Sequence, residues 1–294
     1  MRMRGWLLLY ALLWLPAPVQ AADILGVAWD GVVSQLDASD GTGQTAGSSG
    51  FSGLNSLARS SAGEFFSVAG DAFASTSTLI SIDPLSGLGT SIATVTLGAD
   101  EVSVRGLAFS PGDVLYAVNN GGGKFSTTDP DALYTIDRST GTGTLIGSTG
   151  FAGIQALAFA PDGTLYGWDL NPSVTGAGLV IINPLTGTAT DVDAAVGEGG
   201  VDIQSVTFAP DGTLYGGRNS LYTIDPSSGS TSLVGSGGYA DLRGIEWLTG
   251  PTRDDGSAPG NPVVPEAASW LLFSAGLVGL VGWDWGRRVT RYRR

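Results

Sequence analysis

Cysteine and histidine are both absent from the 294 residues, and only 14% of the residues are charged. Without cysteine the chain cannot form a disulfide. Without either residue type it has no thiolate or imidazole for a transition-metal site or a nucleophilic triad. Residues 22 to 247 also lack a long apolar pattern with a 3.6-residue period, which argues against long amphipathic helices there.

The chain does contain a repeat. Residues 154–167 read IQALAFAPDGTLYG and residues 203–216 read IQSVTFAPDGTLYG. A third copy, residues 104–117, reads VRGLAFSPGDVLYA, so that Pro111, Pro161 and Pro210 are 50 and 49 residues apart. Self-similarity at such a period indicates that one supersecondary unit recurs along the chain.

A second landmark is an apolar strand that ends in Asp or Asn, before a turn that contains Gly. The five copies end at Asp37, Asp83, Asp137, Asn183 and Asp225, with spacings of 46, 54, 46 and 42 residues. Each unit divides into four short strands rich in β-branched and aromatic residues, named a to d in chain order. Four-stranded units of this length predict an all-β fold, a β-propeller. A parallel β-solenoid is the alternative, although its repeats are usually shorter.

The phase of the repeat predicts a closed ring. The segment 24–29 matches strand b, whereas the last repeat ends with a segment, 242–247, that matches strand a. One blade would therefore take its innermost strand from the C-terminal end of the repeats. This arrangement predicts five blades, with four or six as the alternatives if one weak unit is miscounted.

The N-terminal residues 1–21 have a basic start, a short apolar run and small residues near Ala21, which is typical of a secretory signal peptide. A retained N-terminal membrane anchor is the alternative. Residues 22 to 265 contain 25 Asp and Glu against 7 Lys and Arg, a net charge of −18. Such a surface repels nucleic acid, so no nucleic-acid partner is expected.

The propeller prediction covers residues 22–247, and a Pro/Gly/Asp-rich linker follows at 248–264. The last segment, 265–294, has an apolar run at 267–283, which has the minimum length for a transmembrane helix, and then five arginines.

The apolar run is preceded by Val264, Pro265, Glu266 and Ala267. This order resembles the PEP-CTERM sorting signal of bacterial surface proteins, with Ala267 where that family usually has Pro. The resemblance implies processing by an exosortase, a membrane-anchored stage and a location at the cell surface or outside the cell. A plain C-terminal membrane anchor is the alternative.

Strand alternation places the a–b and c–d turns on one face of the ring, and the b–c and d–a connections on the other. The second face carries the irregular insertions at 70–78, 119–132 and 169–178. Its d–a connections also hold five carboxylates that we expect near the channel mouth: Asp100, Glu101, Glu198, Asp202 and Asp241. They are the candidate ligand-binding residues, for Ca²⁺, another cation or a sugar, and the alternative is that they only solvate an acidic surface.

The aspartates in the turns have two interpretations as well. Asp83, Asp137, Asp162, Asp211 and Asp225 each occupy a position where an Asp side chain can accept a hydrogen bond from the main chain of its own turn. The structural role is therefore predicted, and calcium coordination is the alternative.

The sequence predicts a secreted or surface-anchored binding or matrix protein rather than an enzyme, and glycan binding is its most specific version. Extracellular polysaccharide is the expected ligand class, and no cofactor is expected beyond Ca²⁺. The alternative is a hydrolase of the glycosidase or lactonase type, which needs paired carboxylates and often a metal. Asp100, Glu101, Glu198 and Asp202 are its candidates, and the repeats single out no catalytic pair.

Overall fold

The computed structural model of the chain describes residues 23–70, 76–119, 130–170, 178–192 and 203–249. This part of the chain is all β and forms five sheets. Blade 1 consists, from the axis outward, of β22 (Leu242–Trp247), β1 (Ile24–Ala28), β2 (Val32–Leu36) and β3 (Gly43–Ser48). Blade 2 consists of β4 (Asn55–Arg59), β5 (Phe65–Ala69), β6 (Thr78–Ile82) and β7 (Gly89–Thr94).

Within the described residues, blade 3 has two strands more than the others. Its four regular strands are β10 (Val104–Phe109), β11 (Leu115–Asn119), β12 (Ala132–Ile136) and β13 (Thr142–Ser148). Beyond β13 lie β8 (Thr96–Leu97), which pairs with β13 in parallel, and β9 (Asp100–Glu101). The connection from blade 2 to blade 3 thus covers the outer edge of blade 3.

Blades 4 and 5 repeat the four-stranded pattern. Blade 4 consists of β14 (Ile154–Phe159), β15 (Leu165–Asp169), β16 (Gly178–Ile182) and β17 (Ala189–Asp191). Blade 5 consists of β18 (Ser205–Phe208), β19 (Leu214–Gly217), β20 (Leu221–Ile224) and β21 (Thr231–Gly235). The five inner strands, β4, β10, β14, β18 and β22, lie next to one another in a ring. The fold is therefore the predicted five-bladed propeller.

Closure of the ring follows the phase of the repeat. β22 pairs antiparallel with β1, with Gly26 opposite Ile245 and Ile24 opposite Trp247. One sheet therefore joins strands from opposite ends of the repeat region, as the sequence predicted. Because β1 has a partner on each side, the first blade has no open inner edge of its own.

The hydrophobic core is divided among the interfaces between blades. Each of five buried clusters combines side chains of two consecutive blades. The b strands β1 and β5 are buried along their whole length, whereas a c strand such as β12, further from the axis, is buried at only some of its positions. The b strands have both faces covered, because each blade packs between two neighbouring blades.

Aromatic pairs bridge four of the five interfaces. In each pair a ring from strand b of one blade contacts a ring from the end of strand a in the next blade. The pairs are Phe66 with Phe109, Tyr116 with Phe159, Tyr166 with Phe208, and Tyr215 with Trp247, at centroid distances of 5.5, 5.2, 5.3 and 5.7 Å. Tilted and edge-on geometries of this kind are favourable beyond the area that they bury.

The turns between strands use the predicted Asp chemistry. Oδ1 of Asp162 accepts a hydrogen bond from the N–H of Thr164 at 2.9 Å, and Asp211 and Thr213 repeat this contact. The hydrogen bond to the main chain holds the pKa of each of these carboxyls below its usual value. Gly163, at a φ of 89°, supplies the left-handed residue that follows Asp162. The aspartates that end the c strands make the same kind of contact, and so the structural role is confirmed.

Other predicted segments cannot be compared with the structure. The signal peptide at 1–21, most of the linker at 248–264 and the sorting segment at 265–294 lie outside the described residues. The chain separates into two compact units, Met1–Pro259 and Gly260–Arg294, and the second is entirely outside them. Within the part that the structure describes, no helix is long and apolar enough to cross a membrane.

Candidate functional site

The five inner strands share a polar position near their first residue. Strand a follows a d–a connection, so it begins at the face that carries the b–c and d–a connections, here called the loop face. The opposite face, with the a–b and c–d turns, is called the turn face. The shared position holds Asn55, Arg105, Gln155, Gln204 and Arg243, which we name the mouth ring. The residue before each of these is a completely buried Leu, Val or Ile. Because side chains alternate along a strand, the mouth ring is directed away from these cores.

Three members of the mouth ring are bulged out of their sheets. The pairing of β10 with β11 skips Arg105, that of β14 with β15 skips Gln155, and that of β22 with β1 skips Arg243. A β-bulge adds a residue without a partner and changes the direction of its side chain, and bulges are common beside functional sites. These three side chains are thus placed by a local irregularity that recurs in three blades.

In blade 2 the extra residue is Ser56, one position further along. Its φ of 58° lies in the left-handed region, which is unfavourable for a residue other than Gly. Its Oγ accepts a hydrogen bond from the N–H of Leu107 at 2.7 Å and so ties the inner strand of blade 2 to that of blade 3. This contact fixes the spacing of Asn55 and Arg105 across the ring.

Arg243 is held in place by Asp241. Nε of Arg243 donates to Oδ1 of Asp241 at 3.0 Å, and a terminal nitrogen donates to Oδ2 at 3.1 Å. Asp241 also accepts a hydrogen bond from Nε of Arg218 at 2.8 Å. The guanidinium of Arg243 lies 5.1 Å from the ring centroid of Trp29, a cation–π contact. Partial burial acts to raise the pKa of Asp241, but the two arginines outweigh it and the pKa is lowered.

Arg105 has no comparable support. Its Nε is buried and has no hydrogen-bond partner, and the same holds for Oε1 of Gln204 in the mouth ring. Burial lowers the pKa of Arg105, and the positive charge of Arg243 lowers it further, while Asp131 acts in the opposite direction. Two unsatisfied buried polar atoms in one ring of side chains are unusual, because most such atoms in folded proteins are hydrogen bonded.

Glu246 is a second polar feature of the inner strands, on β22 toward the turn face, at a position that packs between blades in other units. Its Oε1 accepts hydrogen bonds from Oγ1 of Thr207 at 2.8 Å and from the N–H of Trp247 at 3.0 Å. Burial raises the pKa of Glu246 to about 7, although both hydrogen bonds and the charge of Arg59 act to lower it. A carboxyl group with such a pKa exchanges its proton near neutral pH.

The five predicted carboxylates do not come together. Asp100 and Glu101 form β9, at the outer end of the blade 3 sheet, so their expected place near the channel mouth is corrected. The physical reason is that β8 continues from β7 and pairs with the outer strand β13, which draws the connection to the rim. Asp241 does lie beside the mouth ring. Glu198 and Asp202 are outside the described residues, as are the motif residues Val264, Pro265, Glu266 and Ala267. The ligand-binding role of these carboxylates stays a prediction.

Among the described residues, no group of three or more Asp and Glu side chains could hold a metal ion. The mouth ring and Glu246 were not among the predicted site residues, because they lie within strands and the predicted carboxylates lie in loops. Both left a signal in the aligned units. The second position of strand a is polar in all five units, and Glu246 stands where the other units have Ala58, Ala108, Ala158 and Thr207.

No protein-family model matches this sequence, and no curated protein is significantly similar to it. Similarity to solved structures is broad but distant. A structure from work on the de novo evolutionary emergence of a symmetrical protein is 20% identical, with a TM-score of 0.50, over 76% of this chain and 98% of that one. The aldose sugar dehydrogenase of Streptomyces coelicolor, with PQQ bound, is 15% identical, with a TM-score of 0.47, over 82% and 88%. A gluconolactonase of Xanthomonas campestris is 12% identical, with a TM-score of 0.46, over 74% and 76%. At these identities the likeness concerns the fold alone, and the fold is a five-bladed β-propeller.

Proposed function

We propose that this chain is an exported bacterial binding protein that recognises an extracellular saccharide at the loop face of its propeller. The observation that carries the proposal is the mouth ring, in which five inner strands present an arginine or a side-chain amide at one level of the channel. Arginines and amides donate in fixed directions, and sugars offer many hydroxyl acceptors close together. The turn face consists instead of short turns whose polar side chains bond their own main chain.

Export and sorting belong to the same proposal. The expected signal peptide at 1–21 and the PEP-CTERM-like segment at 265–294 support delivery through the inner membrane and processing by an exosortase-type enzyme. The arginines at the end of the chain would stay on the cytoplasmic side, which puts the propeller outside. The acidic surface would then face the extracellular matrix.

A glycan array tests the binding function. The full chain, kept in a detergent without a sugar headgroup, is applied with and without calcium. We expect binding to a restricted set of saccharides. No binding in either condition would contradict the proposal, and binding only with calcium would assign an additional role to a cation.

Sorting is tested separately by the intact mass of the protein recovered from the surface of its native host. A product that ends near Val264 supports processing. A protein that retains Arg287–Arg294 as its only form contradicts it and leaves a plain anchor.

A hydrolase is the second candidate function, and Glu246 is the observation that favours it. A carboxyl group with a pKa raised to about 7 could act as a general acid. Hydrolysis of a glycoside by the usual route needs a second carboxyl group about 5–10 Å away. Among the described residues no second carboxylate contributes to the pKa of Glu246. Binding is therefore the better supported function. Turnover of sugar lactones or aryl glycosides that Glu246→Gln abolishes would reverse this order.

A further inference from the structure

Arg105 lies partly buried in a strongly acidic protein, and its Nε is buried without a hydrogen-bond partner. The chain has a net charge of −13, so an arginine on its surface would have many carboxylates available as partners. Instead a bulge holds Arg105 in the mouth ring, where its Nε has no hydrogen-bond partner and the charge of Arg243 repels it. Partial burial of a charge without a hydrogen bond to a carboxylate destabilises a fold, and perturbed charges of this kind cluster at functional sites.

The charged groups around the channel mouth are balanced, and most of them are engaged within the protein. Among the described side chains, Arg105, Arg218 and Arg243 carry three positive charges, and Asp131, Asp169 and Asp241 carry three negative charges. Asp241 is engaged by both Arg218 and Arg243, and the carboxylate of Asp131 accepts a hydrogen bond from the N–H of Ile154 at 2.8 Å. The guanidinium that remains available to a ligand is therefore that of Arg105.

Apart from Arg105 and Arg243, the mouth ring consists of side-chain amides. Gln204 offers a buried Oε1 that accepts no hydrogen bond, and its partner must be a donor such as a hydroxyl group. The amide nitrogen of Gln155 makes only a long contact of 3.4 Å to the carbonyl of Gly153. A ligand that satisfies this ring needs an anionic group for Arg105 and hydroxyl groups beside it. A cation is disfavoured beside Arg105, because the guanidinium is itself positive and the charge of Arg243 acts on it as well.

We propose that the mouth ring binds the carboxylate of an acidic saccharide, with Arg105 as its charge partner and Gln204 as an acceptor for a neighbouring hydroxyl group. A guanidinium matches a carboxylate with two parallel N–H donors. This inference rests on the proposed function, since it names the saccharide class at the loop face.

The test measures thermal shifts and affinity of the full chain, in the same detergent, with oligogalacturonate, neutral oligogalactose and inorganic sulfate as probes. We expect oligogalacturonate to bind and neutral oligogalactose not to bind. The variant Arg105→Gln introduces the residue that blades 4 and 5 already have at this position. It should weaken oligogalacturonate binding roughly ten- to hundredfold, because a hydrogen bond to a charged group is lost. Without ligand its melting temperature should not fall, since a partly buried charge without a hydrogen bond to a carboxylate is removed.

Arg138→Gln is the matched control. Arg138 lies on the turn face, where it pairs with Asp113 at 3.0 Å, so its variant has the same change of charge far from the mouth ring. If both variants bind oligogalacturonate equally weakly, the effect comes from the loss of one positive charge anywhere on the protein, and the proposal is overturned. Unchanged binding in Arg105→Gln would overturn it while the proposed function stands. A response to sulfate as strong as that to oligogalacturonate would overturn the saccharide assignment, and no response to any saccharide would contradict the proposed function as well.

Discussion

Four interfaces between blades are built in one way, and the interface between blades 1 and 2 is built in another. The four carry an aromatic pair between strand b and the end of strand a. At the equivalent positions of the fifth interface stand Leu25 and Arg59. Arg59 lies with its guanidinium 5.9 Å from the ring centroid of Phe65, and its Nε is buried without a hydrogen-bond partner.

The difference shows that charged side chains stand at one interface where the regular units have apolar or aromatic residues. Glu246 is the only carboxylate at its position in the five units, and Arg59 is the only cation at the next position. The two departures act on each other, because the charge of Arg59 lowers the pKa that burial raises at Glu246. Two exceptions in separate blades thus form one electrostatic feature, beside the strand that closes the ring.

Deletion of residues 242–247 tests the closing strand and should have the largest effect. It removes the inner strand of blade 1. With it go Trp247, which pairs with Tyr215, and Glu246, which interacts with Arg59. The channel edges of β1 would lose their partner, and both neighbouring interfaces would lose contacts. We expect no cooperative thermal transition in scanning calorimetry. A truncated chain that melts like the intact one would contradict the closed ring.

A pair of single substitutions compares the two kinds of interface directly. Phe159→Ala removes a ring from a regular interface and should lower the free energy of unfolding by about 2–3 kcal/mol. Arg59→Met should change it by less than about 1 kcal/mol at pH 5, where Glu246 is protonated. At pH 8 its loss should be greater, because ionised Glu246 then lacks its positive neighbour. Urea unfolding at both pH values gives the numbers. Equal losses at pH 5 would mean that Arg59 contributes to packing as the rings do.

The fold was predictable because its signals are local and recur. A c strand that ends in Asp or Asn occurs in all five units, and a Pro-Asp-Gly turn occurs in two of them, so that these copies outweigh one irregular unit. The phase of 24–29 and 242–247 predicted the closure correctly. The hairpin of β8 and β9 was not predicted, because two residues per strand leave no pattern. Its parallel partner β13 is also more than 40 residues away in the chain.

The site was less predictable, because its polar residues lie within strands that read as core. Asp100 and Glu101 were predicted to lie near the channel mouth because they are loop carboxylates, but they lie at the outer edge of the blade 3 sheet. Arg105 and Arg243 are each hidden among apolar residues, and only the bulges reveal why a charge can lie there. A bulge depends on the pairing of two strands, which the sequence of one strand does not specify.

Glu246 should make stability depend on pH. Its pKa is about 7 in the folded protein against a usual value near 4.5, so the folded state binds the proton more tightly than the unfolded chain. Its contribution is therefore present below about pH 4.5 and is lost as pH rises to about 7, by roughly 3 kcal/mol. The absence of histidine keeps this window free of imidazole titration. Glu246→Gln keeps an oxygen for Thr207 and should remove this loss, so that the variant is the more stable protein at pH 8. Glu64→Gln, on the turn face, is the control, and an unchanged pH profile in Glu246→Gln would contradict the assignment.

The smallest effect is expected at the a–b turns of blades 4 and 5, where an aspartate bonds the main chain of its own turn. Asp162→Ala removes the acceptor for the N–H of Thr164, and Asp211→Ala removes the acceptor for Thr213. Both turns keep their Gly and lie in water, so the lost hydrogen bond is largely replaced by solvent. We expect each variant to lower the melting temperature by no more than about 2 °C. Because these carboxylates bond their own turns, millimolar calcium should not change the difference between variant and original. A calcium-dependent rise in the melting temperature of the original that both variants lose would instead make the turn aspartates metal ligands.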